Sequence, residues 1–141
     1  PNTTYTASIL AEAADLAGNT LAADQVWTFT TGASSDTTSP VVSSTSPATG
    51  TTGVSTDKKI TVTFGEAVDP LTVTTRTVIL LLETTKVAGA VTYAGKVATF
   101  TPAAALTAST TYTVSVLTDV ADLAGNSMSH DRTFTFTTGT T

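Results

Sequence analysis

In the segment from residue 41 to residue 139, apolar residues recur at every second position. Ile60, Val62 and Phe64 alternate with Thr61 and Thr63, and Tyr112, Val114 and Val116 alternate with Thr113 and Ser115. Phe134 and Phe136 sit between Thr133, Thr135 and Thr137. A period of two sends successive side chains to opposite faces of a strand, so each run predicts one dry face and one wet one. Residues 41–45 predict a first strand, and residues 78–83, which lack the alternation, a more deeply buried one. Residues 91–100 read as a hairpin turning at Ala94-Gly95, where the glycine supplies a positive φ. Asp69 followed by Pro70 predicts one helical turn, with Asp69 as N-cap and Pro70 at the first position. The expected core is Ile60, Val62, Phe64, Val91, Tyr93, Phe100, Tyr112, Val114, Val116, Phe134 and Phe136. About seven short strands with turn signals between them predict an all-β chain folded as a two-sheet sandwich.

A repeat organises the chain. Residues 1–32 align without a gap onto residues 108–139, at an offset of 107, with 18 of 32 positions identical. Thr3-Thr4-Tyr5-Thr6 returns as Thr110-Thr111-Tyr112-Thr113, and Ala14-Asp15-Leu16-Ala17-Gly18-Asn19 as Ala121-Asp122-Leu123-Ala124-Gly125-Asn126. Such a period has the size of a sandwich domain and is too long for a solenoid unit, which implies beads on a string. The domain reading is therefore 1–32 as the C-terminal strand pair of a preceding repeat, 33–40 as a small polar linker, and 41–139 as a complete domain.

Composition narrows the function. Threonine supplies 36 of 141 residues, which suits strands with a wet face. The net charge of −5 lacks the basic footprint of a nucleic-acid binder. The longest aliphatic run, residues 78–82, is far short of a membrane span, so no membrane insertion is expected. The absence of cysteine removes disulfides, thiolate nucleophiles and cysteine metal sites together.

Several runs then carry a resemblance. Ser39-Pro40-Val41-Val42, Ser46-Pro47-Ala48-Thr49-Gly50-Thr51-Thr52-Gly53-Val54, Ile60-Thr61-Val62-Thr63-Phe64-Gly65-Glu66-Ala67-Val68-Asp69-Pro70, Asp122-Leu123-Ala124-Gly125-Asn126 and Phe134-Thr135-Phe136-Thr137-Thr138-Gly139 stand in an order and spacing that resembles a bacterial Ig-like repeat of the surface-layer-protein type. The resemblance covers about residues 37–139, and residues 1–32 match the family's C-terminal portion. It implies an Ig-like or fibronectin-III-like sandwich, an extracellular or cell-surface location, and neighbouring repeats of the same protein as partners. Gly65 departs from the serine often found there.

Few residues offer chemistry. Asp119, Asp122 and Asn126 cluster oxygen ligands on one loop, as Ca²⁺ requires, with Asp36 and Asp69 as extra ligands from neighbouring segments. The competing and favoured reading is a turn in which the aspartate caps backbone amides. The earlier copy keeps Asp15, Gly18 and Asn19, with Glu12 in place of Asp119, and fits either account. Leu106, Thr110 and Tyr112 have the spacing of a tyrosine corner, whose phenol bonds to nearby backbone. Glu66 and Asp69 form a carboxylate pair without an aromatic platform nearby in sequence, which is poor ground for glycoside hydrolysis. His130, the only histidine, has Ala23 as its counterpart and reads as an exposed loop residue. Trp27 stands where the later copy has Phe134, which favours a core role over a sugar platform.

The expected function is therefore non-enzymatic, with no catalytic residues: a spacer, adhesive or assembly module of a surface repeat protein. A calcium- or carbohydrate-binding accessory module is the alternative. Two strands alone cannot bury Tyr5, Ile9, Leu10, Trp27 and Phe29, so residues 1–32 are also expected to pair with the edge of the following sandwich, with the same segment of a second copy in a homo-oligomer, or with a sandwich exchanged between chains.

Overall fold

The computed structural model describes residues 1–32 and 34–140. They belong to two compact units, Pro1–Asp36 and Thr37–Thr141. Of the expected linker, Ala33 lies outside the described residues.

The first unit is an antiparallel hairpin of β1 (Thr4–Ile9) and β2 (Gln25–Thr30). Its register sets Tyr5 opposite Phe29 and Ala7 opposite Trp27 on one face, and Thr4 opposite Thr30 and Thr6 opposite Thr28 on the other. The rings of Tyr5 and Phe29 stack with centroids 5.5 Å apart, and the Thr4 and Thr30 hydroxyls meet at 2.8 Å.

The second unit is a sandwich built from β3 (Val42–Ser46), β4 (Thr51–Val54), β5 (Ile60–Phe64), a 3-10 turn (Pro70–Thr72), β6 (Val78–Leu82), β7 (Thr85–Lys86), β8 (Gly89–Ala94), β9 (Val97–Pro102), β10 (Thr111–Val116) and β11 (Arg132–Thr138). One sheet runs β4-β11-β10-β6-β7 and the other β3-β5-β9-β8. The alternation read from sequence becomes the two sides of each sheet. Ile60, Val62, Phe64, Tyr112, Val114, Val116, Phe134 and Phe136 are buried in one continuous core, with the off-beat threonines turned away from it. Phe100 joins them as expected, whereas Val91 and Tyr93 are only partly buried against this core. The strand at 78–82 buries Val78 and Leu80 fully, and Val54, Val68, Val73, Ala98, Leu106, Val120 and Met128 complete the core.

Three details differ from the sequence expectation. The first strand of the sandwich begins at Val42 rather than Val41, which is exposed and whose carbonyl accepts from Gly65 N–H at 2.8 Å. The β8–β9 hairpin turns at Gly95-Lys96 rather than Ala94-Gly95: Ala94 still pairs with Val97, and both intervening residues have positive φ, 54° and 69°, as the twist of a two-residue hairpin demands. Two short strands, β4 and β7, were not anticipated, so the described residues of this unit hold nine strand segments instead of about seven.

The topology gives the sandwich two poles. Val42 pairs with Phe64 at the end of β5, while Ser46 pairs with Thr61 near its start. The chain then passes into β4, which runs parallel to β11, with Thr51 beside Phe136 and Val54 beside Thr138. Consequently the chain enters at the pole formed by Val42, Phe64 and the β10–β11 loop, and β11 leaves at the opposite pole. β11 alone, with seven residues, spans roughly 20 Å between them.

Candidate functional site

The β10–β11 loop at the entering pole carries the Asp-rich run. Asp122 Oδ1 accepts from the N–H groups of Ala124 and Asn126, both at 2.8 Å, and its Oδ2 accepts from Asn126 Nδ2 at 2.8 Å. The backbone closes the same ring, Asp122 N–H donating to Asn126 O at 3.0 Å and Gly125 N–H to Asp122 O at 3.2 Å. Gly125 permits this at φ 92°, a conformation that a side chain disfavours. An aspartate in such a turn substitutes its carboxylate for missing backbone acceptors. Asp122 is buried, and its hydrogen bonds, with that from the Asn126 side chain foremost, outweigh desolvation and hold its carboxyl below the ordinary value.

The first unit repeats the arrangement. Asp15 Oδ1 accepts from Ala17 and Asn19 N–H, and its Oδ2 from Asn19 Nδ2, all at 2.9 Å. The Asn19 side chain likewise leads in lowering the Asp15 carboxyl. A second aspartate ties each loop to the strand end: Asp131 accepts from Thr118 N–H at 2.8 Å, and Asp24 from Ala11 N–H at 2.7 Å. The repeat therefore preserves a hydrogen-bond network as well as a sequence.

Other elements converge on the pole. Asp69 caps the 3-10 turn as the sequence predicted, its Oδ1 accepting from Leu71 N–H at 2.9 Å, and its own N–H donates to Ala121 O at 2.8 Å. Thr72 Oγ1 accepts from Ala121 N–H at 3.2 Å, fastening the turn to the loop. Glu66, from the segment after β5, offers a carboxylate oxygen within 4.8 Å of one on Asp122. Sequence reasoning paired Glu66 with Asp69. Only the fold brings it to Asp122, 56 positions away. Of the other sequence-predicted ligands, Asp119 is exposed and Asn126 is partly buried with its amide nitrogen committed to Asp122, while Asp36 closes the first unit.

The remaining candidates settle into structural or exposed positions. Tyr112 is buried, and its phenol accepts from Thr107 N–H at 2.8 Å, as a tyrosine corner requires. His130 is exposed, its Nδ1 2.9 Å from Ser129 Oγ. Both line a groove of about 300 Å³ with Pro40, Met128 and Arg132. Trp27 is half exposed and so lacks the covering that a core role requires.

A two-sheet sandwich with strand switching at its first strand, a tyrosine corner and aspartate-clamped loops defines an Ig-like domain. The chain belongs to the bacterial Ig-like domain family, whose pattern matches residues 1–31 and again residues 36–138. Among solved structures it is similar to the N-terminal part of the bacterial S-layer protein SbsC, at 26% identity and a TM-score of 0.55 over 72% of this chain. It spans 24% of the length of that structure. It is also similar to PcoC, a methionine-rich copper resistance protein from Escherichia coli, at 19% identity and a TM-score of 0.58, covering 72% of this chain and 99% of that one. CopC from Methylosinus trichosporium OB3b matches at 17% identity and 0.58, covering 71% and 93%. The last two likenesses show the fold alone. No curated protein matches the chain.

Proposed function

We propose that this chain is a non-enzymatic spacer module of an extracellular or cell-surface repeat protein, a load-bearing bead that separates whatever its array displays. The observation that carries this reading is the polar layout of the sandwich: the chain enters at one pole and leaves at the other, and the first and last strands of one sheet, β4 and β11, run parallel. Tension applied through the ends then pulls β4 and β11 in opposite directions along their length. The ladder between them, flanked by Gly50 N–H to Thr135 O at 2.7 Å and Gly139 N–H to Val54 O at 2.8 Å, is loaded all at once. Similarity to an S-layer protein and the internal repeat support the surface setting. Pulling single chains by their ends tests it. One cooperative rupture releasing about 300 Å of backbone is expected from the second unit, and smooth extension without a rupture would remove the reading.

The proximity of Glu66 to Asp122 favours a second reading, in which the entering pole binds Ca²⁺ and stiffens. Thermal unfolding with Ca²⁺ and with chelator decides between them. A midpoint that rises with the ion and loses the rise in Glu66→Gln supports the metal. An unchanged midpoint leaves Asp122 as a turn clamp.

A further inference from the structure

The two sheets of the sandwich end at four edge strands, β4 and β7 in one and β3 and β8 in the other. A free edge is a template for another strand, and three of these four carry features that discourage one. The register of β3 shifts between Val42 and Ser44, and Pro47 follows its last residue. β4 has four residues and a shift in its register with β11. β7 has two residues, one of them Lys86. β8 differs on every count. It runs six residues, pairs residue for residue with β9 without a shift, and contains neither proline nor a charged side chain.

The ladder to β9 fixes which backbone groups of β8 are spare. Ala94 and Val97 close the two-residue turn at Gly95-Lys96, so this pair exchanges both of its hydrogen bonds. Alternation then commits Thr92 and Ala90 to β9 as well, and Ala103 N–H donating to Ala88 O at 2.9 Å continues the series. Pro102, which has no N–H, falls opposite Gly89, where the ladder needs none. The N–H and C=O groups of Gly89, Val91 and Tyr93 therefore point away from β9, to a side where no strand lies among the described residues. The side chains agree. Val91 and Tyr93 pack against the core yet are only partly buried, whereas Val62 and Phe64 of the interior strand β5 are 0% and 1% exposed. Tyr93 is also anchored, its phenol accepting from Val68 N–H at 3.0 Å, so this edge is held ready in its extended form.

We infer that the β8 edge pairs with β8 of a second copy of this chain, antiparallel about a two-fold axis at Val91, so that two sandwiches share one continuous sheet. The strand is complementary to itself in that register. Val91 meets Val91, Gly89 meets Tyr93, and every outward-facing residue of each copy exchanges both of its hydrogen bonds. An axis one residue to either side leaves Gly89 or Tyr93 of each copy unpaired. The register also sets the Tyr93 ring of one copy beside Gly89 of the other, where an aromatic neighbour compensates for the missing side chain. Charge does not oppose the contact: although the chain carries a net −5, β8 is uncharged, and Lys86 belongs to the opposite sheet. The inference rests on β8 alone, so it stands or falls separately from any mechanical role and from residues 1–32.

Ala90 and Thr92 are exposed, and the register sets Ala90 of one copy opposite Thr92 of the other. Sedimentation of the full chain at rising concentration is expected to show the mass climbing from one chain toward two. The double variant Ala90→Lys, Thr92→Lys sets like charges directly opposite each other and should stay at one chain mass, as should Ala90→Glu, Thr92→Glu. Mixing these two variants in equal amounts should restore the two-chain mass, a rescue that misfolded protein cannot give. Should either variant fail to fold, Ala90→Lys with Thr92→Glu in one chain decides: it is complementary to itself in this register alone and should pair at least as well as the parent. A parent chain at one mass throughout would overturn the inference. So would a two-chain mass that persists in the Lys variant, which places the contact elsewhere, or a mixture or Lys–Glu chain that stays at one mass.

Discussion

At the scale of single residues, Gly89 and Asp122 hold positions whose substitution has a measurable cost. Gly89 opens β8 where a Cβ would lie 2.5 Å from Phe100 Cζ and 2.6 Å from Thr101 O. The carbonyl cannot move without breaking the β8–β9 ladder, so Gly89→Ala should cost about 1–3 kcal/mol, measured as a lower urea midpoint at unchanged slope. Asp122 acts through charge. Its folded-state value lies below the ordinary 3.8, so its contribution is fully present above that value and is lost as pH falls through the lower folded one. Asp122→Asn should therefore melt below the parent at pH 7, with the gap closing as thermal scans are taken progressively below pH 3.8. A gap independent of pH would assign the effect to shape rather than charge. The clamp was legible beforehand because Asp-Leu-Ala-Gly-Asn occurs twice and an aspartate two residues before a backbone donor has one common use. The approach of Glu66 to Asp122 was illegible, because no local rule relates a strand end to a loop 56 positions later.

At the scale of elements, legibility follows the length of the alternating pattern. β5, β10 and β11 each carry an alternation of apolar residues with threonine or serine, and each is found where the pattern places it. β4 and β7 have four and two residues, too few to show a period, and exist because neighbours supply the ladder: β11 for one and β6 for the other. The β8–β9 turn slipped by one residue because glycine marks a positive φ but not which of the two central positions it occupies, and Lys96 takes the second at φ 69°. The tyrosine corner links elements in a way that can be measured. Tyr112 is fixed within β10, and its phenol is the acceptor for Thr107 N–H in the segment leading from β9. Tyr112→Phe keeps the ring in the core and removes only that acceptor, for an expected loss of about 1–2 kcal/mol. The effect should appear in equilibrium unfolding and in faster amide exchange at Thr107, while amides of β5 and β9 exchange as before relative to the new stability. Uniform loosening across both sheets would show that the ring, not the bond, was disturbed.

At the scale of the whole sandwich, the direction of force distinguishes a spacer from a merely compact domain. Between Val42 and Gly139, tension runs along β3 into β4 and out along β11, shearing a parallel ladder whose bonds fail together. Lys58, by contrast, sits in the turn that Lys58 N–H closes on Ser55 O, just beyond Val54 and at the same pole as Gly139. Pulling between Lys58 and Gly139 peels β4 from β11 starting at Gly139 N–H to Val54 O, so the bonds are loaded one after another. Rupture in this second geometry should come at lower force for the same protein with the same equilibrium stability. The comparison needs only a change of attachment site, so core packing, charge and composition cancel. Equal forces in the two geometries would mean that the parallel pair bears no load, and the arrangement of the poles would then lose its claim to function. A lower force on peeling would tie the mechanical role to four residues of β4 that no periodicity revealed, placed there by the chain's passage from one sheet to the other.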